Sequence, residues 1–414
     1  MKILFCPSHY ALLDDRGSEL EWAYKITHSI ATLCPDSVAV TGFSNVVYSS
    51  YKIVTLQKNQ RSIDLGIINT IKFALQYGIE GIRQLTSEHF DIHHHVLPFY
   101  LGRTFNLAFL VPIKNKPIRI IGPIQNPLPF FADNLDDQSQ TLILTKQITN
   151  FLSKLFIDAV GVLLSKLSYA TLKSADAILV IDASLKTVIV KKGIDESKVH
   201  IIPPGVDVHK HTSLKERETK LKSRKHINII STGALIKRKG FDLLIKSIAE
   251  VRRLDKTISF HVDIYGDGPQ RNNLELQISS AGLSSFITLH GLVDHDILPD
   301  KYAQADIFIS MTRADSFAQM YLEAMSSGLP IISTINPGSK TLIKKGANGY
   351  LVEKNGYGDM AEHIVNLAKN KELLQTMKIN SQKIAAQYDW STSIIPQYLA
   401  IYKKLIRSRV YTTH

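Results

Sequence analysis

Residues 310–338 read SMTRADSFAQMYLEAMSSGLPIISTINPG, and this stretch decides the fold. An apolar strand, Ala305-Asp306-Ile307-Phe308-Ile309-Ser310, runs into a short polar loop that holds Arg313 and Asp315. A helix follows with Met320, Glu323, Ala324 and Met325, and Gly328-Leu329-Pro330 returns the chain to a strand, Ile331-Ile332-Ser333. In an open parallel α/β sheet, ligands sit beyond the carboxyl ends of strands, where the next helix begins. That helix start presents unpaired N–H groups and a positive dipole end, so the amides near Phe317, Ala318 and Gln319 are placed to hold a phosphate. Glu323 lies a little over one turn in, where a carboxylate can accept from two ribose hydroxyls. Asp315 sits earlier, free to meet another part of the same ligand. The plain alternative is an amphipathic Leu-Glu-Ala-Met helix closed by a common Gly-x-Pro turn.

At these residues the chain resembles the family 4 retaining glycosyltransferases, which have the two-domain GT-B fold. Their signature is a pair of glutamates with seven residues between, in the form E-G-F-G followed by E-A-M-A-x-G-x-P. Asp315-Ser316-Phe317-Ala318 and Glu323-Ala324-Met325-Ser326-Ser327-Gly328-Leu329-Pro330 keep that spacing, with the first acid shortened and the second glycine replaced by Ala318. The resemblance implies an α/β chain of two Rossmann-like domains, with parallel sheets facing across a cleft and a last helix crossing back to the first domain. It further implies that Asp315 contacts the donor sugar and Glu323 the ribose. Lys239 and the helix start at Ser316, Phe317, Ala318 and Gln319 would hold the diphosphate.

Upstream, Gly233-Ala234-Leu235-Ile236-Lys237-Arg238-Lys239-Gly240-Phe241-Asp242 follows a strand at Ile227–Gly233 and resembles the family's G-R-L-x-x-x-K-G-x-D. Lys239 falls on the family's lysine, while Ala234 stands where an arginine is expected. Two cations matter because the leaving nucleoside diphosphate gains negative charge as the glycosidic bond breaks. Lys237, Arg238 and Arg313 are the candidates to replace the missing one, and a solvated basic loop is the alternative reading. Gly266-Asp267-Gly268-Pro269 matches the family's G-x-G-P turn, whose glycines allow positive φ and a close pass by the donor. His290-Gly291 falls on the segment whose backbone reads the nucleobase. Asp294-His295-Asp296 is an Asp-x-Asp, but it opens a helix, so capping is the better account and no catalytic metal or other cofactor is expected. Asn336-Pro337-Gly338-Ser339 reads as a turn bordering the phosphates.

The first 206 residues alternate strand and helix, which implies a parallel sheet covered on both faces. The first strand is Lys2–Cys6, and a loop leads to a helix from Ser18 with Leu20, Ala23, Ile26, Ile30 and Leu33 at helical spacing. In the resembling family this loop carries paired glycines that admit the donor diphosphate. Here Gly17 remains, beside Arg16, and a turn glycine next to a helix cap is the other reading. A helix is expected at Ile63–Tyr77. His93-His94-His95 close a strand, where neighbours point to opposite faces and cannot converge on one ion. Relatives often carry histidine here on the acceptor side, so His94 and His95 are acceptor candidates against ordinary loop histidines. Gln125-Asn126-Pro127 replace glycines found in one branch of the family, which changes the acceptor wall. A long helix is expected over about 140–173, and residues 209–226, rich in charge, read as a solvated crossing. The domains are therefore set at 1–207 for the acceptor and 208–389 for the nucleotide sugar, with a returning helix at 390–414.

At 414 residues the chain suits two domains, and 44% hydrophobic with 21% charged residues is an ordinary globular balance. Its two cysteines, Cys6 and Cys34, exclude a disulfide framework. The amino terminus reads as a strand rather than a signal peptide, and no stretch reaches the ~18 apolar residues of a membrane span. A cytoplasmic protein is expected. Net charge +12 fits either a basic fold with phosphate-seeking lysines or a peripheral enzyme on anionic lipid at the inner membrane face. No nucleic-acid module is visible. The expected activity is transfer of a sugar from a nucleotide-diphosphate sugar to a glycan, lipid-linked or small-molecule acceptor. The alternatives are a non-catalytic nucleotide- or partner-binding protein of the same fold, and a nucleotide-sugar 2-epimerase.

Overall fold

The computed structural model describes residues 1–12, 19–44, 49–56, 67–96, 99, 104–114, 116–124, 151–210, 226–315 and 319–412. The chain divides into two compact units, one formed by Met1–Pro204 with Ile394–His414, the other by Gly205–Ser393.

In the first unit, β1 (Ile3–Leu12), β2 (Val38–Ser44), β3 (Lys52–Thr55), β4 (Ile92–His95), β5 (Ile118–Ile124), β6 (Ala177–Val180) and β7 (Val199–Ile201) form one sheet. All pairs are parallel, in the order β3-β2-β1-β4-β5-β6-β7. Every residue of β4, β5 and β6 is buried, the mark of parallel strands covered on both faces. The covering helices are α1 (Glu19–Leu33), α2 (Ile67–Ser87), α3 (Leu107–Leu110), α4 (Phe151–Ser174) and α5 (Ala183–Lys191). On α1, Trp22, Ala23, Ile26 and Ile30 are buried, whereas Leu33, at the helix end, is 63% exposed. Helix α2 runs ten residues past the expected Tyr77. The reason is packing: a Cβ on Gly78 would stand 2.4 Å from Leu107 Cβ, so this glycine lets α3 approach rather than ending α2.

The second unit has β8 (Ile227–Thr232), β9 (Phe260–Tyr265), β10 (Ile287–Gly291), β11 (Ile307–Ser310), β12 (Ile331–Thr334) and β13 (Gly349–Val352). Its sheet is also parallel, in the order β10-β9-β8-β11-β12-β13. Around it lie α6 (Phe241–Leu254), α7 (Arg271–Ser280), α8 (Leu298–Gln304), α9 (Gln319–Ser326), α10 (Pro337–Leu342), α11 (Tyr357–Lys369) and α12 (Lys371–Ala386). Ile248, Val251, Val262, Ile264, Ile307 and Ile309 centre its core, each fully buried. The segment expected as a turn at Asn336 is instead a helix start. The Asn336 side chain accepts from the Ser339 amide and the Ser339 hydroxyl accepts from the Asn336 amide, each at 2.9 Å, a reciprocal cap.

The last helix, α13 (Ile395–Thr412), belongs to the first unit, with Tyr398 and Tyr402 buried in it. In both sheets the strand order reverses once, between β1 and β4 and between β8 and β11. Such reversals open a crevice at the carboxyl ends of the strands, where open α/β sheets hold ligands.

Candidate active site

At the second reversal, the residues following β8 meet those following β11. Lys237–Lys239 form one 3-10 turn and Gly240, in the left-handed region at φ 70°, starts α6. A Cβ there would sit 1.9 Å from the Met311 carbonyl oxygen, so glycine permits the two loops to touch. The Arg313 amide donates to the Arg238 carbonyl at 2.8 Å, stitching them together. In this frame Lys239 Nζ donates to Asp315 Oδ2 at 2.6 Å. Arg238 Nη1 lies 3.8 Å from the same oxygen and donates to the Ala314 carbonyl at 2.8 Å. The three side chains are only 12–16% exposed, so their charges act in a weakly screened setting.

The other cation candidates fare differently. Arg313 grips Asp242 through both nitrogens, at 2.8 and 2.6 Å, and reaches the Lys237 carbonyl at 2.6 Å. That hydrogen bond and charge raise the Arg313 pKa, and they lower that of Asp242 although burial opposes it. Arg313 is thus committed to holding the loop, which corrects its reading as a replacement phosphate cation. Lys237 contributes its carbonyl and leaves its side chain exposed.

Glu323 stands in α9 inside a polar chain that the sequence did not disclose. Tyr302 OH donates to Glu323 Oε2 at 3.1 Å, and the Thr232 hydroxyl lies 2.9 Å from the same phenol oxygen. His295 Nε2 lies 3.3 Å from Glu323 Oε1. Thr232 ends β8, and the next residue, Gly233, backs onto the Lys239 stem, its Cβ direction 3.7 Å from Lys239 Cδ. Both acid-bearing clusters are therefore organised around the end of one strand. The Asp294 side chain makes no capping bond, so capping does not account for the Asp-x-Asp. Asp296 pairs with Lys210 at 3.7 Å, and the central His295 is the residue that reaches the site. The seven-residue spacing of His295 and Tyr302 did not reveal this, because His295 lies in a 3-10 turn and Tyr302 in the helix that follows it.

Gln319 begins α9, and its side chain donates to the Gly205 carbonyl at 2.7 Å. The neighbouring Ser316, Phe317 and Ala318, and Gly17 in the first unit, lie outside the described residues. At the edge of the sheet His290 stacks on Tyr265, ring centres 4.5 Å apart at 10°, with Nε2 2.6 Å from Asp263 Oδ1. Burial and the Asp263 charge push the Tyr265 phenol up to about 12. Gly266 donates to the Gly291 carbonyl at 2.8 Å. A Cβ on Gly266 would lie 1.9 Å from the Gly233 carbonyl, so its backbone at φ 143° serves loop-to-loop contact. Gly268 packs likewise against Leu235.

His94 and His95 are buried, at 0% and 1% exposure. His94 Nε2 donates to the Gly122 carbonyl at 2.7 Å and Nδ1 accepts from Tyr402 OH at 2.6 Å, which uses both nitrogens of a neutral ring. His95 Nδ1 meets the Asn106 amide at 3.3 Å. With both ring edges inside the packing, these histidines join β4 to its neighbours, a correction to their reading as acceptor contacts. Two hollows of about 490 and 360 Å³ border His89 and Phe90 in the first unit, but neither includes a residue of the cluster around β8. Among the described residues, no group of three or more His, Cys, Asp or Glu could hold a metal ion, and no helix is long and apolar enough to cross a membrane.

Two parallel α/β sheets, each with one reversal, and a final helix returned to the first unit define the GT-B class. The same fold occurs in Anabaena HepE solved in complex with UDP, at 18% identity and TM-score 0.66, covering 98% of this chain and 100% of that one. It occurs also in sucrose-phosphate synthase from Thermosynechococcus elongatus, at 14% identity and TM-score 0.69, covering 98% and 99%. Residues 213–384 match the family described as glycosyl transferases group 1. Mannosylfructose-phosphate synthase of Agrobacterium fabrum is 25% identical over 221 residues, 50% of this chain and 48% of that protein. The chain spans about half the length of the curated relatives it matches.

Proposed function

We propose that the protein is a retaining glycosyltransferase that moves a sugar from a nucleotide-diphosphate sugar to a glycan or lipid-linked acceptor. The observation that carries this is the Lys239–Asp315 contact at the β8/β11 reversal, with Glu323 held beside the same strand end. A diphosphate entering there would take Lys239 and Arg238 as its cations, and Arg238 fills the role left by Ala234. Released from Lys239, Asp315 would accept from hydroxyls of the donor sugar. As the glycosidic bond breaks, negative charge grows on the departing diphosphate, and fixed cations stabilise that charge without reorganising. The departing phosphate would take the acceptor proton on the face of the sugar it leaves, which accounts for retention without a protein base.

The reading is tested by a thermal-shift screen of nucleoside diphosphates and nucleotide sugars, followed by donor hydrolysis and transfer assays with the best donor. One nucleotide class should raise Tm, and Lys239→Ala and Glu323→Ala should each abolish the shift at the same concentration. Loss of one charge-assisted contact corresponds to roughly 1.5–3 kcal/mol of binding. If no nucleotide shifts the wild-type protein, the reading fails.

A further inference from the structure

Glu323 is held on both oxygens. An ionised carboxylate offers about four lone-pair positions. The Tyr302 hydroxyl takes one on Oε2 and His295 Nε2 lies at 3.3 Å from Oε1. Two remain, one on each oxygen, and a carboxylate fixed in this way matches a pair of vicinal hydroxyls. The holding groups come from separate elements: Thr232 from β8, His295 from the 3-10 turn His295–Ile297, Tyr302 from α8 and Glu323 from α9. Tyr302 is 1% exposed, and burial together with the Glu323 charge keeps its phenol protonated far above the ordinary range. With its proton committed to Glu323, its oxygen accepts from the Thr232 hydroxyl at 2.9 Å.

We propose that Tyr302 and His295 are positioning residues that aim the Glu323 carboxylate at both ribose hydroxyls, so that the site selects ribonucleotides over 2′-deoxyribonucleotides. This rests on the nucleotide-sugar reading above. A 2′-deoxy ligand leaves one aimed lone pair unmatched, and a carboxylate that cannot swing away cannot recover the loss. A free carboxylate would rotate toward the remaining hydroxyl and discriminate less.

The experiment is calorimetric titration of uridine, guanosine and adenosine diphosphates and their 2′-deoxy forms into the wild-type protein, Tyr302→Phe and His295→Gln. The wild type should prefer the ribo form of its best base by about tenfold, the size of one charge-assisted hydrogen bond. Tyr302→Phe should bring that ratio close to one by weakening the ribo form while the 2′-deoxy form stays within about threefold. His295→Gln should reduce the ratio in part. It also carries the test if Tyr302→Phe loses its thermal transition, because His295 is partly exposed and its replacement leaves the core intact. An unchanged ratio in both variants overturns the proposal, and so does equal weakening of both ligand forms, which would mark Tyr302 as a purely structural contact. A wild type that binds nucleotides without ribose preference overturns this proposal alone. One that binds none overturns it together with the nucleotide-sugar reading.

Discussion

Lys378 carries its ammonium into the second unit, 1% exposed, and meets Asp306 Oδ1 at 2.8 Å. The other Asp306 oxygen accepts from the Asn228 amide at 2.9 Å, so the acid pins β8 while the lysine ties α12 to β11. A buried pair of this kind contributes little net stability, because two charges have left water. Breaking it is costly, since one charge stays behind unpaired. Lys378→Met should therefore destabilise the second unit by about 3–5 kcal/mol, read from urea denaturation. A loss below about 1 kcal/mol would show that water reaches Asp306. Nothing in the spacing around Lys378 announced this role, for a lysine on a helix is ordinarily a solvated one.

Among the elements, the turn between β8 and α6 controls the site more than any single side chain does. Gly240 has a left-handed backbone, and its missing Cβ leaves room for the Met311 carbonyl. Gly240→Ala would both strain that backbone, by about 1–2 kcal/mol, and drive the Lys239 loop away from the Asp315 loop. We expect the variant to lose the nucleotide-dependent thermal shift while its own Tm falls by only a few degrees. If full nucleotide affinity persists, the two loops do not need this contact. A glycine before a helix was legible in the sequence as a turn. Its neighbour Met311, 71 positions on, was not, because the contact exists only once β8 and β11 lie side by side.

For the whole molecule, the two units should respond differently to acid. His93 and His94, both 0% exposed in the first unit, are held at about 3 by burial, which outweighs the opposing effect of their carbonyl hydrogen bonds. Their folded pKa values lie below the unfolded value of 6.5, so the folded state keeps them neutral. Above pH 6.5 neither state binds the protons and the full stability is present. Between 6.5 and 3 the unfolded chain binds protons that the folded one refuses, and stability falls with pH. The slope is about 1.4 kcal/mol per pH unit for each histidine. His363 of the second unit is also lowered by burial but is only half-buried, so its effect is smaller. The two tryptophans, Trp22 and Trp390, lie in different units and permit separate readouts. With Trp390→Phe, the urea midpoint reported by Trp22 should drop steeply from pH 6.5 to 4.5. With Trp22→Phe, the Trp390 midpoint should move much less. Equal shifts would sink the assignment to the buried histidines.

The alternation of strands and helices and the parallel sheets were legible in the sequence by itself, and the class of fold through its resemblance, whereas the helix that starts at Asn336 was not. Apolar runs such as Ile307–Ile309, turns such as Gly328-Leu329-Pro330 and the acids 315 and 323 are local patterns, and local patterns survive without knowledge of what lies across the sheet. Tertiary structure alone decided which charges meet. It turned Arg313 onto Asp242, brought Arg238 to Asp315, enclosed His94 between Gly122 and Tyr402, and placed Tyr302 and His295 on Glu323. The physical reason is that a hydrogen bond is specified by a few tenths of an ångström and a direction. Between residues 21 to 308 positions apart, these are set only when the intervening core has packed.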